Sequence, residues 1–276
     1  MLLPRILVGV FGIPIAIISI YYGNFLFLLF LLIILIYILK EFVYMVNKVG
    51  YEISGFIAFL VGVVVFFSII LEHIQFSKLS IYFTSTNITL ILLFISLLEI
   101  IRQKPLGAVG KISVSFLFPF FFAWCLSHLY LIRDIKNYGM KLTYILFFTI
   151  WIADNSSYFF GSIFGKKKLA SVVSPKKTIV GFVSSIIFGI LGFLFFCRVF
   201  QMDMVISFKE LMLVAIIITP LITISDLTES LIKRDCGFKD SDDLLFGHGG
   251  MMDRFDSFLF TSPIFYYLIL FFLKSK

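Results

Sequence analysis

Ser225–Asp256 reads SDLTESLIKRDCGFKDSDDLLFGHGGMMDRFD. Acids, bases, one histidine and a glycine pair crowd together here. On either side the chain turns to oil: LMLVAIIITPLITI runs up to Ile224, and SFLFTSPIFYYLILFFLK follows from Ser257. A dense polar segment between two apolar runs, each long enough for most of a bilayer crossing, reads as a membrane-embedded frame holding a polar segment at one face. Composition agrees. Mean hydropathy is +1.08; hydrophobic residues make up 61% and charged residues only 14%. A soluble domain carries about a quarter charged residues, so the chain is placed among membrane proteins.

A spanning helix needs roughly 20 mostly apolar residues. Nine candidates meet or approach that length: 5–22, 25–39, 53–71, 81–101, 112–132, 142–161, 179–200, 209–227 and 257–273. The expected fold is an all-α integral membrane protein, a polytopic bundle of about nine transmembrane helices with a cytoplasm-facing polar cleft. It is read as one polytopic domain over 1–276, with a less defined part at 1–110 and a motif-bearing part at 142–273. Tyr22-Gly23-Asn24 predicts a tight turn between the first two spans. The first run lacks a small-residue cleavage site and reads as a retained helix. The net charge of +7 sits mainly in short loops, which fits membrane orientation and attraction to anionic lipid and nucleotide phosphates. No nucleic-acid partner is expected. Cys125, Cys197 and Cys236 show no metal or disulfide spacing. With the N-terminus in the cytoplasm, the loops 162–178 and 228–256 fall together on the lysine-rich, cytoplasmic side.

Within the apolar runs, two acids need a reason. Asp154 lies late in the sixth span, in WIADNSSYFFG, and Asp226 near the end of the eighth. A carboxylate at the bilayer centre costs about 2.5–3.5 kcal/mol on insertion scales. An interfacial position would relieve that cost, but the clustering favours an inward polar cleft. Asp226, Ser230 and Lys233 fall at i, i+4 and i+7, one helical face. The loop GSIFGKKKLASVVSPKKTIVG (161–181) adds Ser174, Lys176, Lys177 and Thr178 at the mouth of the next helix. Hydroxyls, lysines and a helix N-terminus together make a phosphate seat. The glycine pattern of a Walker A loop is absent.

The opening stretch supplies the rest. Lys233, Arg234 and Lys239 offer cations to polyphosphate. Gly247-His248-Gly249-Gly250 is a turn whose backbone N–H groups can face an anion. Asp253 and Asp256, three apart, share one helical face, with Arg254 between them in sequence. Helix-dipole complementarity alone would explain two acids at a helix start. Together with Asp226 and Lys239-Asp240, they point instead to Mg²⁺ held by carboxylates and substrate phosphates. The role of His248 stays open at this level.

Ser230-Leu-Ile-Lys233-Arg234, Lys239-Asp240, Gly247-His248-Gly249-Gly250 and Asp253-Arg254-Phe255-Asp256 closely resemble the signature of phosphatidate cytidylyltransferases (CDP-diacylglycerol synthases). Trp151, Asp154, Tyr158, Gly161, Gly165-Lys166 and Ser174-Pro175-Lys176-Lys177-Thr178 resemble that family's second shared region, and the likeness runs along essentially the whole chain. It implies a homodimeric enzyme of the bacterial inner membrane with its active site facing the cytoplasm. Such an enzyme condenses CTP with phosphatidic acid to give CDP-diacylglycerol and pyrophosphate. It implies a divalent-metal site, Mg²⁺ with K⁺ as an optional second ion, at Asp226, Asp253 and Asp256. Asp226, Asp253, Asp256, His248, Lys239 and Asp240 are the catalytic candidates. Asp154, Ser174, Lys176, Lys177, Thr178, Ser230, Lys233, Arg234, Gly249, Gly250 and Arg254 are the substrate-binding candidates. The chain departs from the pattern at Val180, where a Glu is common, at Ser225 for Gly, and at Asp242 and Phe246. Three other readings compete: a CTP-dependent lipid kinase of the polyprenol type, a membrane transporter, and a scaffold that has lost activity. The first shares only part of the motif. A transporter would set its charges at the midplane within a repeat, and neither is seen here.

Overall fold

The computed structural model describes residues 3–74, 82–239, 241 and 250–274. The helices are α1 (Leu3–Tyr22), α2 (Asn24–Lys48), α3 (Gly55–Ile74), α4 (Phe83–Arg102), α5 (Ala108–Arg133), α6 (Gly139–Phe164), α7 (Ile179–Val199), α8 (Phe208–Asp235), α9 (Met252–Phe255) and α10 (Phe258–Lys274). Each of the nine expected spans is a helix. Among the described residues, seven helices are long and apolar enough to cross a membrane. The α6 helix is not one of the seven, because Asp154-Asn155-Ser156-Ser157 dilutes it. It is nonetheless 26 residues long, buried on all sides from Leu142 to Phe147 and at Thr149, Ile150, Ala153 and Ser156 beyond. The protein is an integral membrane protein built almost wholly of helix.

The chain divides into two compact units: residues 1–131 with 235–254, and residues 132–234 with 255–276. In the first unit, Gly23 at φ 61° makes the tight turn between α1 and α2. The α2 helix runs well past the expected end at 39, to Lys48. It carries Glu41 into the interior at 1% exposure, beside the fully buried Phe42. Phe42 packs on Phe118 and Phe122 of α5, with ring centroids 4.9 and 5.8 Å away. Asn47 closes the turn into α3: its Nδ2 donates to Ile53 O (3.0 Å) and its Oδ1 accepts from Ile53 N (2.7 Å). Tyr44 packs edge-on against Phe238, holding the start of the 235–254 segment on α2.

The second unit centres on α6, α7, α8 and α10. Ser156 and Ser184 cross-link α6 and α7, each hydroxyl donating to the other residue's carbonyl at 3.3 and 3.2 Å. Small residues and polar cross-links of this kind are how membrane helices approach closely. Phe147 meets Phe258 (4.5 Å) and Phe193 meets Phe265 (6.2 Å) in the core. The 162–178 connection holds a structure not expected from sequence: β1 (Lys168–Ala170) pairs antiparallel with β2 (Ser174–Thr178). Strands this short, with the sequences KLA and SPKKT, show no apolar alternation to read. Thr178 then caps α7, its Oγ1 accepting from Gly181 N at 3.1 Å. At Gly165 a Cβ would lie 2.3 Å from Gly161 O and 2.4 Å from Thr178 Oγ1. Only glycine lets the end of α6 press on that cap.

Candidate active site

The second unit gathers an acidic cluster. Asp226 and Glu229 lie three apart on α8, and Asp256 follows α9. Carboxylate oxygens of all three lie within 4.8 Å of one another. Three like charges this close repel strongly; a pair at 4 Å costs about 4 kcal/mol at an effective dielectric of 20. Two lysines offset part of that. Lys177 on β2 forms a salt bridge with Asp226, and Lys233 pairs with Glu229 at 2.7 Å, with side chains 8% and 0% exposed. Ser230 Oγ donates to Asp226 Oδ1 at 3.4 Å. Ser257 bridges a fourth acid to the group: its N–H donates to Asp256 Oδ1, and its hydroxyl reaches Asp154 at 3.2 Å. Four carboxylates against two ammonium groups leave a formal charge of −2. Hard, clustered oxygen donors of this kind suit a divalent cation.

Local structure fixes each of these groups. On β2, Pro175 and Lys176 are exposed, while Lys177 is half-buried and paired with Asp226. Arg234 Nε donates to Val173 O at 3.0 Å, tying the end of α8 to the hairpin. Ser225 is fully buried and its Oγ accepts from Phe260 N at 3.1 Å, one of the early α10 amides without an intrahelical partner. Serine in place of glycine therefore links α8 to α10.

The first unit holds a different arrangement. Asp253 Oδ2 accepts from Gly250 N (2.8 Å), Ser241 N (3.1 Å) and Ser241 Oγ (3.0 Å). Glu41 Oε1 accepts from Met251 N (2.6 Å) and Oε2 from Met252 N (2.9 Å). Ser241 Oγ also lies 2.7 Å from Glu41 Oε2. The serine has one proton, which serves one of the two acids at a time.

A family model described as the cytidylyltransferase family matches residues 3–272. The chain belongs to this family. Among its curated relatives, a Bacillus subtilis (strain 168) protein named phosphatidate cytidylyltransferase is 35% identical over 161 residues, 58% of this chain and 58% of that protein. Proteins of the same name from Staphylococcus epidermidis and Staphylococcus haemolyticus are 41% and 39% identical over 133 and 129 residues. Those two alignments cover 48% and 47% of this chain, and 50% and 49% of those proteins. The chain thus spans about half the length of the curated relatives it matches.

Of the residues that carried the family resemblance, the structure brings Asp154, Lys177, Asp226, Ser230, Lys233 and Asp256 into one constellation within the second unit. Thr178 serves there as the α7 cap, and Ser174 opens β2. Gly250 and Asp253 belong to the first unit, with their own hydrogen bonds. Lys239, Arg254 and Lys176 are exposed. Asp240, His248 and Gly249, like Asp242 and Phe246, lie outside the described residues. Val180 stands 37% exposed in the first turn of α7. Glu229 and Glu41 were missed from sequence. Glu229 had a local signal, three residues after Asp226 on the same face. Glu41 is a buried acid inside an apolar helix, and reading the second span as ending at 39 hid it.

Proposed function

We propose that this protein transfers a cytidylyl group from CTP to phosphatidic acid, releasing pyrophosphate and forming CDP-diacylglycerol. The observation that carries the reading is the lysine-paired cluster of Asp226, Glu229 and Asp256 in a chain of the cytidylyltransferase family. A phosphate oxygen of phosphatidic acid attacks the α-phosphorus of CTP. The bond from that phosphorus to the α–β bridging oxygen breaks, and its electron pair leaves with pyrophosphate. The attacking phosphate is already anionic at neutral pH, so the site needs alignment and charge neutralisation more than a strong base.

Asp226, Glu229 and Asp256 would hold Mg²⁺, which supplies neutralisation of the charge that develops on the leaving pyrophosphate. Lys177 is paired with Asp226. It has a carboxylate to leave and a phosphate to move to once the acids have another counter-charge. Lys176, exposed one residue earlier, attracts the polyphosphate from solution. Ser257 holds Asp154 and Asp256 in mutual register. Asp253 as a further metal ligand, and K⁺ as a second ion, extend the proposal. So do a homodimeric state and a position in the bacterial cell membrane with the site open to the cytoplasm, where CTP is found.

The test is incubation of purified, lipid-reconstituted protein with α-labelled CTP, phosphatidic acid and Mg²⁺. The expected result is label in the lipid fraction with pyrophosphate released, lost on chelation. Release of CDP with phosphorylation of a lipid alcohol would replace this reading with a lipid kinase.

A further inference from the structure

Glu41 sits on α2, some 200 residues before the segment it touches. It is 1% exposed, and both its oxygens are engaged by that segment. Oε1 takes the Met251 amide; Oε2 takes the Met252 amide and lies within reach of the Ser241 hydroxyl. Asp253 holds the same pair of places from the other direction, accepting from Gly250 N and from Ser241. Residue 241 and residues 250–253 are thereby fixed against one another through two carboxylates. The glycine at 250 gives an independent sign that the fit is built. A Cβ there would lie 2.2 Å from Glu41 Oε2 and 2.2 Å from Ser241 Oγ. Gly250 is thus required by the close approach of the Glu41 carboxylate. A buried acid that only needed a partner would not demand a bare backbone opposite it.

We propose that Glu41 is a positioning residue: from α2 it sets the place of Ser241 and of the Gly250–Asp253 backbone, and so the aim of the Asp253 carboxylate. The inference rests on the reading that Asp253 serves cytidylyl transfer. A carboxylate suits the task because it accepts from several donors at once. A carboxamide in its place offers one accepting oxygen and turns an N–H₂ toward the remaining donors.

The experiment uses full-length protein in lipid nanodiscs and compares wild type, Glu41→Gln and Glu41→Asp. Hydrogen–deuterium exchange of the peptide covering 250–254 reads the hold on the backbone without any assay of activity. Steady-state kinetics then reads its consequence. In Glu41→Gln, exchange at 251–252 is expected to rise about tenfold or more, because the carboxamide has one accepting oxygen for the two amides that Glu41 holds. Turnover is expected to fall about tenfold, with KM for CTP within about twofold of wild type, since an aligned group rather than a binding contact is lost. Glu41→Asp keeps the charge one methylene short; it is expected to fall between the two and to carry the test where Glu41→Gln does not fold. Gly250→Ala is expected to depress turnover more in the wild-type background than in Glu41→Asp, because the shorter acid leaves room for the methyl group. Unchanged exchange at 251–252, or raised exchange with wild-type turnover, overturns the proposal. Absence of cytidylyl transfer in the wild type would instead remove the functional reading, and the exchange measurement would still decide whether Glu41 positions the segment.

Discussion

The two units each bring carboxylates together, and they do so in opposite ways. In the first, Glu41 and Asp253 face donors: three amides from Gly250 to Met252, the Ser241 amide and one hydroxyl. Those oxygens are occupied by the fold. In the second, Asp226, Glu229 and Asp256 face one another, and what offsets their repulsion is two lysines and a serine. Amide donors are fixed parts of the backbone, whereas an ammonium on a four-carbon stem can swing to another anion. The difference separates acids whose oxygens are taken up by backbone amides from acids whose counter-charges sit on mobile side chains. Sequence spacing alone does not draw that line, because both groups contain an aspartate of the same Asp-Arg-Phe-Asp motif.

The sharpest way to break the comparison is to remove charge from the second cluster. Asp226→Asn and Asp256→Asn are expected to lower turnover by about 10³-fold in the cytidylyl-transfer assay, with insertion and size-exclusion behaviour unchanged. Near-wild-type turnover in either would dissolve the contrast. Asp253→Asn sharpens it. Asparagine keeps a carbonyl oxygen for Gly250 N and Ser241 but is a poor ligand for a hard cation. A loss of about 10²-fold that added Mg²⁺ does not restore assigns Asp253 to the metal as well as to the backbone. Retained activity assigns it to the backbone alone.

Smaller effects follow from the hairpin. Lys177→Ala is expected to raise KM for CTP about tenfold, the scale of one charge-assisted contact, while Lys176→Ala raises it only about twofold. Equal effects would mean that the pairing of Lys177 with Asp226 does not govern which lysine meets the nucleotide. Gly165→Ala is expected to destabilise the protein by about 1–3 kcal/mol in thermal unfolding, because the new methyl group must displace the Thr178 cap and the Gly161 carbonyl.

Much of this was legible in the chain. The spans were, because apolar runs of bilayer length have few other uses, and even the polar Asp154-Asn155-Ser156-Ser157 quartet did not hide α6. Their ends were harder. Hydropathy stops at Lys40, but the helical hydrogen-bond ladder does not, and Glu41 rides inward on the continuation. Asp226, Ser230 and Lys177 were legible as chemistry, since charges near a membrane interior need a reason. Their pairing was not: Lys177 meets Asp226 through a hairpin whose strands are too short to show a pattern. The pairing of Lys233 with Glu229 shows that a cation read from sequence as a phosphate contact has a carboxylate partner. Gly250 was legible as a turn glycine; its actual neighbour, an acid in the second helix, leaves no trace in the local sequence.

Manganese takes the same oxygen ligands as magnesium and is visible by electron paramagnetic resonance. Titrating Mn²⁺ into the purified protein with CTP therefore tests the central assignment without relying on turnover. A bound-ion spectrum is expected in the wild type and in Glu41→Gln, and is expected to be lost in Asp226→Asn and Asp256→Asn. Bound manganese of undiminished intensity in those two aspartate variants would contradict the account.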